Sequence, residues 1–453
     1  MIFFKTNAGT RVSARSSSRQ RASRAAEFCA AGLASLFGRV LRCAPRAEGS
    51  DMVLLRIDTC MLSTLAFFWS TSPGARAAPA PSLRFSAPSP LPPDKGAFVD
   101  SVLGFGDDKH ALGFGSGFFA TKDGGATWAI PSALGQAGVA LWQNDTTFAV
   151  LSKDGKTAHN MGDLQFVGNA TSVASNASTL FTVDSEGNFE ARLVATANSS
   201  VRFDGIPSPG IKGFRTGGAD WLRLPDGSLV ASIIVQWANT SGEQASIASF
   251  RSEDGDGYQW IFAGSIARAD DPRVASNEGP NENSLALLNN GSLMCIMRLD
   301  AGDAGRYHRY ASSLSSDGHS WSVAKMLNGV GAARPRLLRL GSSLLLSGGR
   351  TWKKNRDTLV WLNAAGDGVE WLPHSISYWH NTLAPNGTKR FDPLGTNGSD
   401  HWPRESNSYT SLVATGPSSA FVTYNFAGVY GFSMPIELVT TGGGGSNKAL
   451  RQS

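Results

Sequence analysis

Residues 121–128 read TKDGGATW. An aspartate, two glycines and a tryptophan at this spacing describe one tight turn. The carboxylate can accept main-chain N–H groups of its own turn, a glycine supplies φ > 0, and the indole packs against a neighbouring layer. The same turn recurs one residue shorter in 315–321, SSDGHSW, and one longer in 252–260, SEDGDGYQW. Its role is mechanical, so Asp123, Asp254 and Asp317 read as structural aspartates, not catalytic ones.

Each copy ends a larger unit: a short apolar run, a tight turn, a second apolar run, a polar gap, then the D-G turn and a tryptophan. Residues 282–321 and 336–371 show it, as do the stretches around WLRLPDGSLVASIIVQW and SVLGFGDDKHALGFGSGFF. Two weaker units surround TTFAVLSKDGKTA and STLFTVDSEGNFEA. A repeat of roughly 40–50 residues built from short strands is the pattern of propeller blades. The expected fold is all-β: a β-propeller of six blades, with seven as the other count the spacing allows, each blade a four-stranded antiparallel sheet. The last run, YTSLVATGPSSAFVTYNF (409–426), is expected to close the ring with the first blade. Composition agrees, because 41% hydrophobic residues supply a core, while 17% charged residues, 51 Gly and 12 Trp suit a turn-rich β protein better than a helical bundle.

The chain divides into an Arg/Ser-rich extension (1–51) expected to be disordered, a signal-peptide-like segment (52–77), a linker (78–94), the propeller (95–438) and a flexible Gly-rich tail (439–453). The second segment pairs an apolar run ending LAFFW with an Ala75-Arg76-Ala77 site. It points to secretion or an endomembrane lumen, and the extension before it leaves organelle targeting open. Arg56 and Asp58 interrupt the apolar run, so no membrane span is expected. Eight N-x-S/T sequons, at Asn144, Asn169, Asn176, Asn198, Asn239, Asn290, Asn386 and Asn397, point to a glycoprotein. Much of the excess Arg behind the net charge of +5 precedes residue 50, and no basic cluster with aromatics follows, which argues against a nucleic-acid partner. Cys29, Cys43 and Cys60 lie upstream, so Cys295 has no internal disulfide partner and reads as a buried small hydrophobe.

Residues 282–298, ENSLALLNNGSLMCIMR, read as a hairpin turning at Asn290-Gly291, with an acid before it and an arginine after it. In a blade the inner strand runs from one mouth of the ring to the other, and its antiparallel neighbour returns. Residues just before the first strand and just after the second therefore share a mouth. This rule places Glu282 and Arg298 together, and adds Arg215 and Asp220 before WLRLPDGSLVA, Arg350 and Arg356 after SLLLS, and Tyr409 before TSLVA.

In order and spacing these residues resemble the sialidase (neuraminidase) superfamily over about 220–426. The resemblance rests on a Glu, a hairpin, an Arg sixteen residues on, a D-G turn, then Arg356 fifteen residues before Trp371, and finally the YTSL strand. It implies a glycoside hydrolase that releases a terminal sialic acid or related acidic sugar. Tyr409 would be the nucleophile, Glu282 its base, and Arg298 and Arg356 would bind the carboxylate, with Arg350 as the alternative to Arg356. The chemistry is coherent, because guanidinium pairs bind a carboxylate bidentately and a neutral phenol approaches an anionic sugar more readily than a carboxylate does. The family's F/Y-R-I-P motif is absent after residue 78, and GFRTGGADWLRLPDG, with Arg215, comes nearest to it. The acid/base aspartate would be Asp220, Asp107 or Asp108. Around residues 99–128 the chain looks more like propellers of the photosystem-assembly and sortilin type. No cofactor and no metal spacing is read, and the expected partner is a sialylated or acidic glycan. Two rival functions stay open: a propeller that binds acidic glycans or a protein partner without chemistry, and an assembly factor.

Overall fold

The structure, a computed structural model, describes residues 80–92, 99–115, 117–132, 134, 148–160, 169–175, 178–194, 201–240, 244–274, 276, 278–299, 309–349, 357–391, 409–426 and 430–440. The extension 1–51, the signal-like segment 52–77, the tail from 441, and Arg350 and Arg356 lie outside the described residues.

The strands form six small sheets arranged as a six-bladed propeller. β1 (Ser82–Phe85) and β2 (Ser89–Pro90) come first, and belong to the last blade. β3 (Val99–Gly104), β4 (Ala111–Gly115) and β5 (Phe118–Thr121) make blade 1. A single bridge, Ala120 to Ala129, stands where a fourth strand would be. In blade 2, β6 (Ala149–Leu151) and β7 (Thr157–Asn160) are inner, and β9 (Ser178–Val183) and β10 (Phe189–Val194) outer. Between them β8 (Val173–Ser175) leaves to pair with β11 (Val201–Asp204). Both extend blade 3, where β11 runs parallel to the outer strand. Blade 3 proper is β12 (Ile211–Arg223), β13 (Leu229–Trp237), β14 (Ser246–Ser252) and β15 (Gln259–Ala267). Blade 4 is β16 (Asn283–Leu287), β17 (Leu293–Leu299), β18 (Arg309–Ser315) and β19 (Lys325–Met326). Blade 5 is β20 (Ala333–Leu340), β21 (Ser343–Gly349), β22 (Leu359–Asn363) and β23 (Leu372–Ser375), followed by the short helix α1 (Ile376–Leu383). β24 (Ser411–Ala414), β25 (Ser419–Phe426) and β26 (Tyr430–Val439) begin blade 6, and β1 completes it by pairing antiparallel with β26.

Two expectations change here. The stretch read as a linker, 78–94, carries β1 and β2, so the propeller starts at Ser82 and the ring closes inside one sheet. The four-stranded pattern is also uneven, with three described strands in blade 1 and six in the blade 3 sheet.

The aspartate turns perform as expected. Asp317 Oδ1 accepts from the main-chain N–H groups of His319 and Ser320, both at 2.8 Å, and from Ser315 Oγ. Asp254 and Asp123 make the corresponding sets. Each following indole N–H donates to the carbonyl of its turn glycine: Trp128 to Gly125, Trp260 to Gly257, Trp321 to Gly318. The ring then packs on the preceding blade. Trp260 meets Phe148, Trp321 donates to Ser249 Oγ at 3.1 Å, and Trp128 of blade 1 meets Phe421 of blade 6 edge-on at 5.4 Å.

Cys295 is fully buried and burial pushes its thiol pKa up, as suits a core residue. The sequon residues Asn169, Asn239, Asn290 and Asn386 are exposed, and the other four lie outside the described residues. Among the described residues no helix is long and apolar enough to cross a membrane.

Candidate functional site

The hairpin of blade 4 sets the frame. Gly291 takes φ +82° in its turn, and the strands pair from Asn283–Met297 to Leu287–Leu293. That register brings Glu282 and Arg298 to the same mouth. Arg298 N–H donates to the Glu282 carbonyl at 2.8 Å, and its guanidinium Nη1 donates to Glu282 Oε2. Arg298 is 4% exposed. Burial works against its charge, but Glu282 outweighs burial, with Tyr409 and Glu278 adding to it, so the Arg298 pKa is raised.

Blade 5 contributes a residue that the sequence reading passes over. β20 pairs Ala333 with Gly349 and Arg336 with Ser347, so Arg334 and Pro335 bulge out opposite Gly348. Arg334 sits in this bulge at φ +34° and 1% exposed. Its main-chain N–H donates to Glu282 Oε2 at 3.0 Å, the same oxygen that Arg298 holds. Its guanidinium carbon lies 4.7 Å from the centre of the Tyr409 ring, within cation–π range. Tyr310, buried in β18, supports the bulge by donating its hydroxyl to the Ala333 carbonyl at 3.1 Å.

Tyr409 precedes the inner strand of blade 6. Its neighbours anchor it: Thr410 Oγ1 is 2.8 Å from Ser347 Oγ of blade 5, and Ser411 Oγ accepts from the Val102 N–H of blade 1. Glu282, Arg298, Arg334 and Tyr409 therefore meet at one mouth, delivered by three blades.

Asp220 and Arg215 fall differently. Both lie inside β12, not before it, and a second bulge separates them, because Arg215 pairs with Ile234 and Asp220 with Ser232. Arg215 is exposed. Asp220 faces the channel between the inner strands. Its Oδ2 accepts from Ser284 Oγ at 2.5 Å and Leu285 N–H at 2.9 Å, and Ser284 Oγ in turn accepts from Leu337 N–H. The carboxylate thus ties blades 3, 4 and 5 together. The bulge before it presses on the site, since Gly218 takes φ +75° and an added Cβ there would lie 2.9 Å from Glu282 Cγ. Asp107 and Asp108 lie in the turn after β3, at the opposite mouth, where Asp107 accepts from His110 and Lys109.

Below the site, β3, β6, β12, β20 and β24 enclose a cavity of about 370 Å³, lined among others by Asp220, Trp221, Arg336 and Ser411. Arg336 Nη1 donates across it to the Ala219 carbonyl at 3.3 Å. Among the described residues no group of His, Cys, Asp and Glu is arranged to hold a metal ion.

With this geometry in view, comparison with known proteins supports the architecture. No family model and no curated protein matches the chain. Among solved structures it is similar to a protein of unknown function from Dyadobacter fermentans, at 13% identity and TM-score 0.52, over 80% of this chain and 100% of that one. It also aligns with a Penicillium chrysogenum α-L-arabinanase complexed with arabinobiose (14%, TM-score 0.45, 79% of this chain and 98% of that one). A Trypanosoma rangeli sialidase bound to the inhibitor DANA aligns at 14%, TM-score 0.39, over 78% of this chain and 54% of that one. At 13% identity the likeness to the Dyadobacter fermentans protein speaks for the fold alone. What this chain does must be argued from its own mouth residues.

Proposed function

We propose that the protein is a glycoside hydrolase that releases a terminal acidic sugar, sialic acid foremost, from glycoconjugates. One observation carries the reading: the Glu282 carboxylate is held by Arg298 and by the Arg334 main chain at the mouth where the Arg334 guanidinium covers the Tyr409 ring. The roles follow from chemistry. A phenol titrates near about 10 in general and needs a base to attack at neutral pH. Glu282 is that base and Tyr409 the nucleophile. Arg298 and Arg334 supply the cationic field that a sugar carboxylate seeks, and planar guanidiniums suit that anion better than ammonium groups. Tyrosine in place of a second carboxylate is the known exception among glycosidases, and an anionic substrate gives the reason.

The test is direct. The full chain, incubated with a 4-methylumbelliferyl sialoside, should release the fluorophore, and Tyr409→Phe should reduce release to background while leaving the circular dichroism spectrum unchanged. Undiminished turnover by Tyr409→Phe would remove that residue from the chemistry. Retained binding to an acidic glycan with no turnover by the wild type would favour a propeller that binds without reacting.

A further inference from the structure

Glycoside cleavage needs a proton for the departing oxygen as well as a base for the nucleophile. The aspartates considered above serve this poorly: Asp220 is bound into the inter-blade relay, and Asp107 and Asp108 stand at the other mouth. We propose that Glu278 is a further catalytic residue of this site, acting as general acid and then general base at the leaving group. The inference rests on the hydrolase reading above.

Glu278 is an exposed carboxylate in the segment leading into blade 4, and its charge acts on the Arg298 guanidinium. Asn281 connects it to the rest of the site. The Asn281 Nδ2 donates to Glu278 Oε2 at 3.1 Å, its Oδ1 accepts from the Glu282 N–H at 2.7 Å, and its own N–H donates to the Arg298 carbonyl at 3.1 Å. The backbone is held as firmly. Ala245 N–H donates to the Glu278 carbonyl at 2.7 Å, and Gly279 takes φ +73° so close to that contact that an added Cβ would lie 2.1 Å from the Ala245 oxygen. The two glutamates thus differ in setting. A guanidinium and a main-chain N–H converge on Glu282, which suits an acceptor, whereas Glu278 is exposed, where an incoming water can reach it.

The step balances. As the Tyr409 oxygen bonds to the anomeric carbon, the phenol proton passes to Glu282, the bond to the leaving oxygen breaks, and that oxygen takes the proton of Glu278. Water then delivers its hydroxyl to the anomeric carbon and its proton to Glu278. The bond to Tyr409 breaks and the phenol recovers its proton from Glu282.

The experiment compares wild type, Glu278→Gln and Glu278→Asp on two sialosides, one with an activated aryl leaving group and one linked to lactose. Glu278→Gln should lose about 10²–10⁴-fold on the lactose-linked substrate and much less on the aryl one. Azide should accelerate its aryl reaction, and Glu278→Asp should recover part of the loss. Equal losses on both substrates, or no loss on either, would overturn the role of Glu278 while wild-type turnover kept the hydrolase reading intact. A wild type inactive on both would overturn that reading, and this assignment with it.

Discussion

Arg334 holds φ +34°, a region that a side-chain-bearing residue enters at a cost of about 1–3 kcal/mol. The surrounding contacts fix it there, and the strain turns its N–H toward Glu282 and its guanidinium toward Tyr409. The same concentration of constraint makes Glu282 costly to remove. Glu282→Ala breaks the buried Arg298–Glu282 pair and should destabilise the protein by about 3–5 kcal/mol, measurable by urea unfolding. Gly218→Ala combines left-handed backbone with a collision against Glu282 Cγ, and should cost about 1–2 kcal/mol from the backbone alone while lowering turnover. If Gly218→Ala unfolds at the wild-type urea midpoint, the bulge does not press on Glu282 as described. At this scale the sequence is partly legible. Glu282, Arg298 and Tyr409 follow from counting residues at strand ends. Arg334 stands shortly before LLRL, near the start of its strand, although β20 already begins at Ala333. A bulge hides it, because a reader of the sequence does not see that Arg334 and Pro335 leave the ladder and swing the arginine inward. Asp220 misleads in turn: β12 begins well before it, at Ile211, so it belongs to the strand and to the channel.

The aspartate turn is the most legible element, because its signal is local: an acid, a φ-positive glycine and an indole within seven to nine residues. A fourth version, NAAGDGVEW, replaces the opening hydroxyl by Asn363, whose Oδ1 accepts from Gly368 N–H at 3.0 Å as Ser315 Oγ accepts from Gly318. Trp371 again donates to its glycine carbonyl. These turns also set the acid response. The N–H groups of Ser320 and His319 hold the Asp317 carboxyl at about 2, below its ordinary 3.8. Asp367 is lowered by Asn363 and Val369; in Asp123, hydrogen bonds from Thr127 outweigh burial. A depressed carboxyl contributes stability that is whole above its unfolded pKa and lost as pH falls through the folded one. The melting temperature should therefore decline as pH drops from about 4 toward about 2, and Asp317→Ala should melt lower than wild type at pH 7 with a shallower decline in acid. An identical slope in the variant would show that Asp317 is not among the groups responsible.

Across the whole molecule, the six-fold count is legible from the repeat, but the closure is not. β1 is four residues long, and the prolines that follow it suggest a linker; only the pairing with β26 reveals an edge strand, where proline nearby is tolerated. Leu83 and Phe85 enter the core of blade 6, and Phe85 stacks on Trp379 of α1 at 5.3 Å. Phe85→Ala should therefore cost about 3–5 kcal/mol, more than truncating an exposed apolar residue such as Val369, and a denaturation series comparing the two decides the point. A ring fastened in this way also keeps time with the ribosome. Arg84 and Glu437, partners across the closing strands, are 353 residues apart in sequence. At about 5–20 residues per second, the opening strand waits on the order of twenty to seventy seconds for its mate to be synthesised. Through that interval Leu83 and Phe85 lack the strand they pair with. A nascent chain released before residue 430 never makes that pairing, which leaves the ring open at β1, a natural handle for chaperones and proteases.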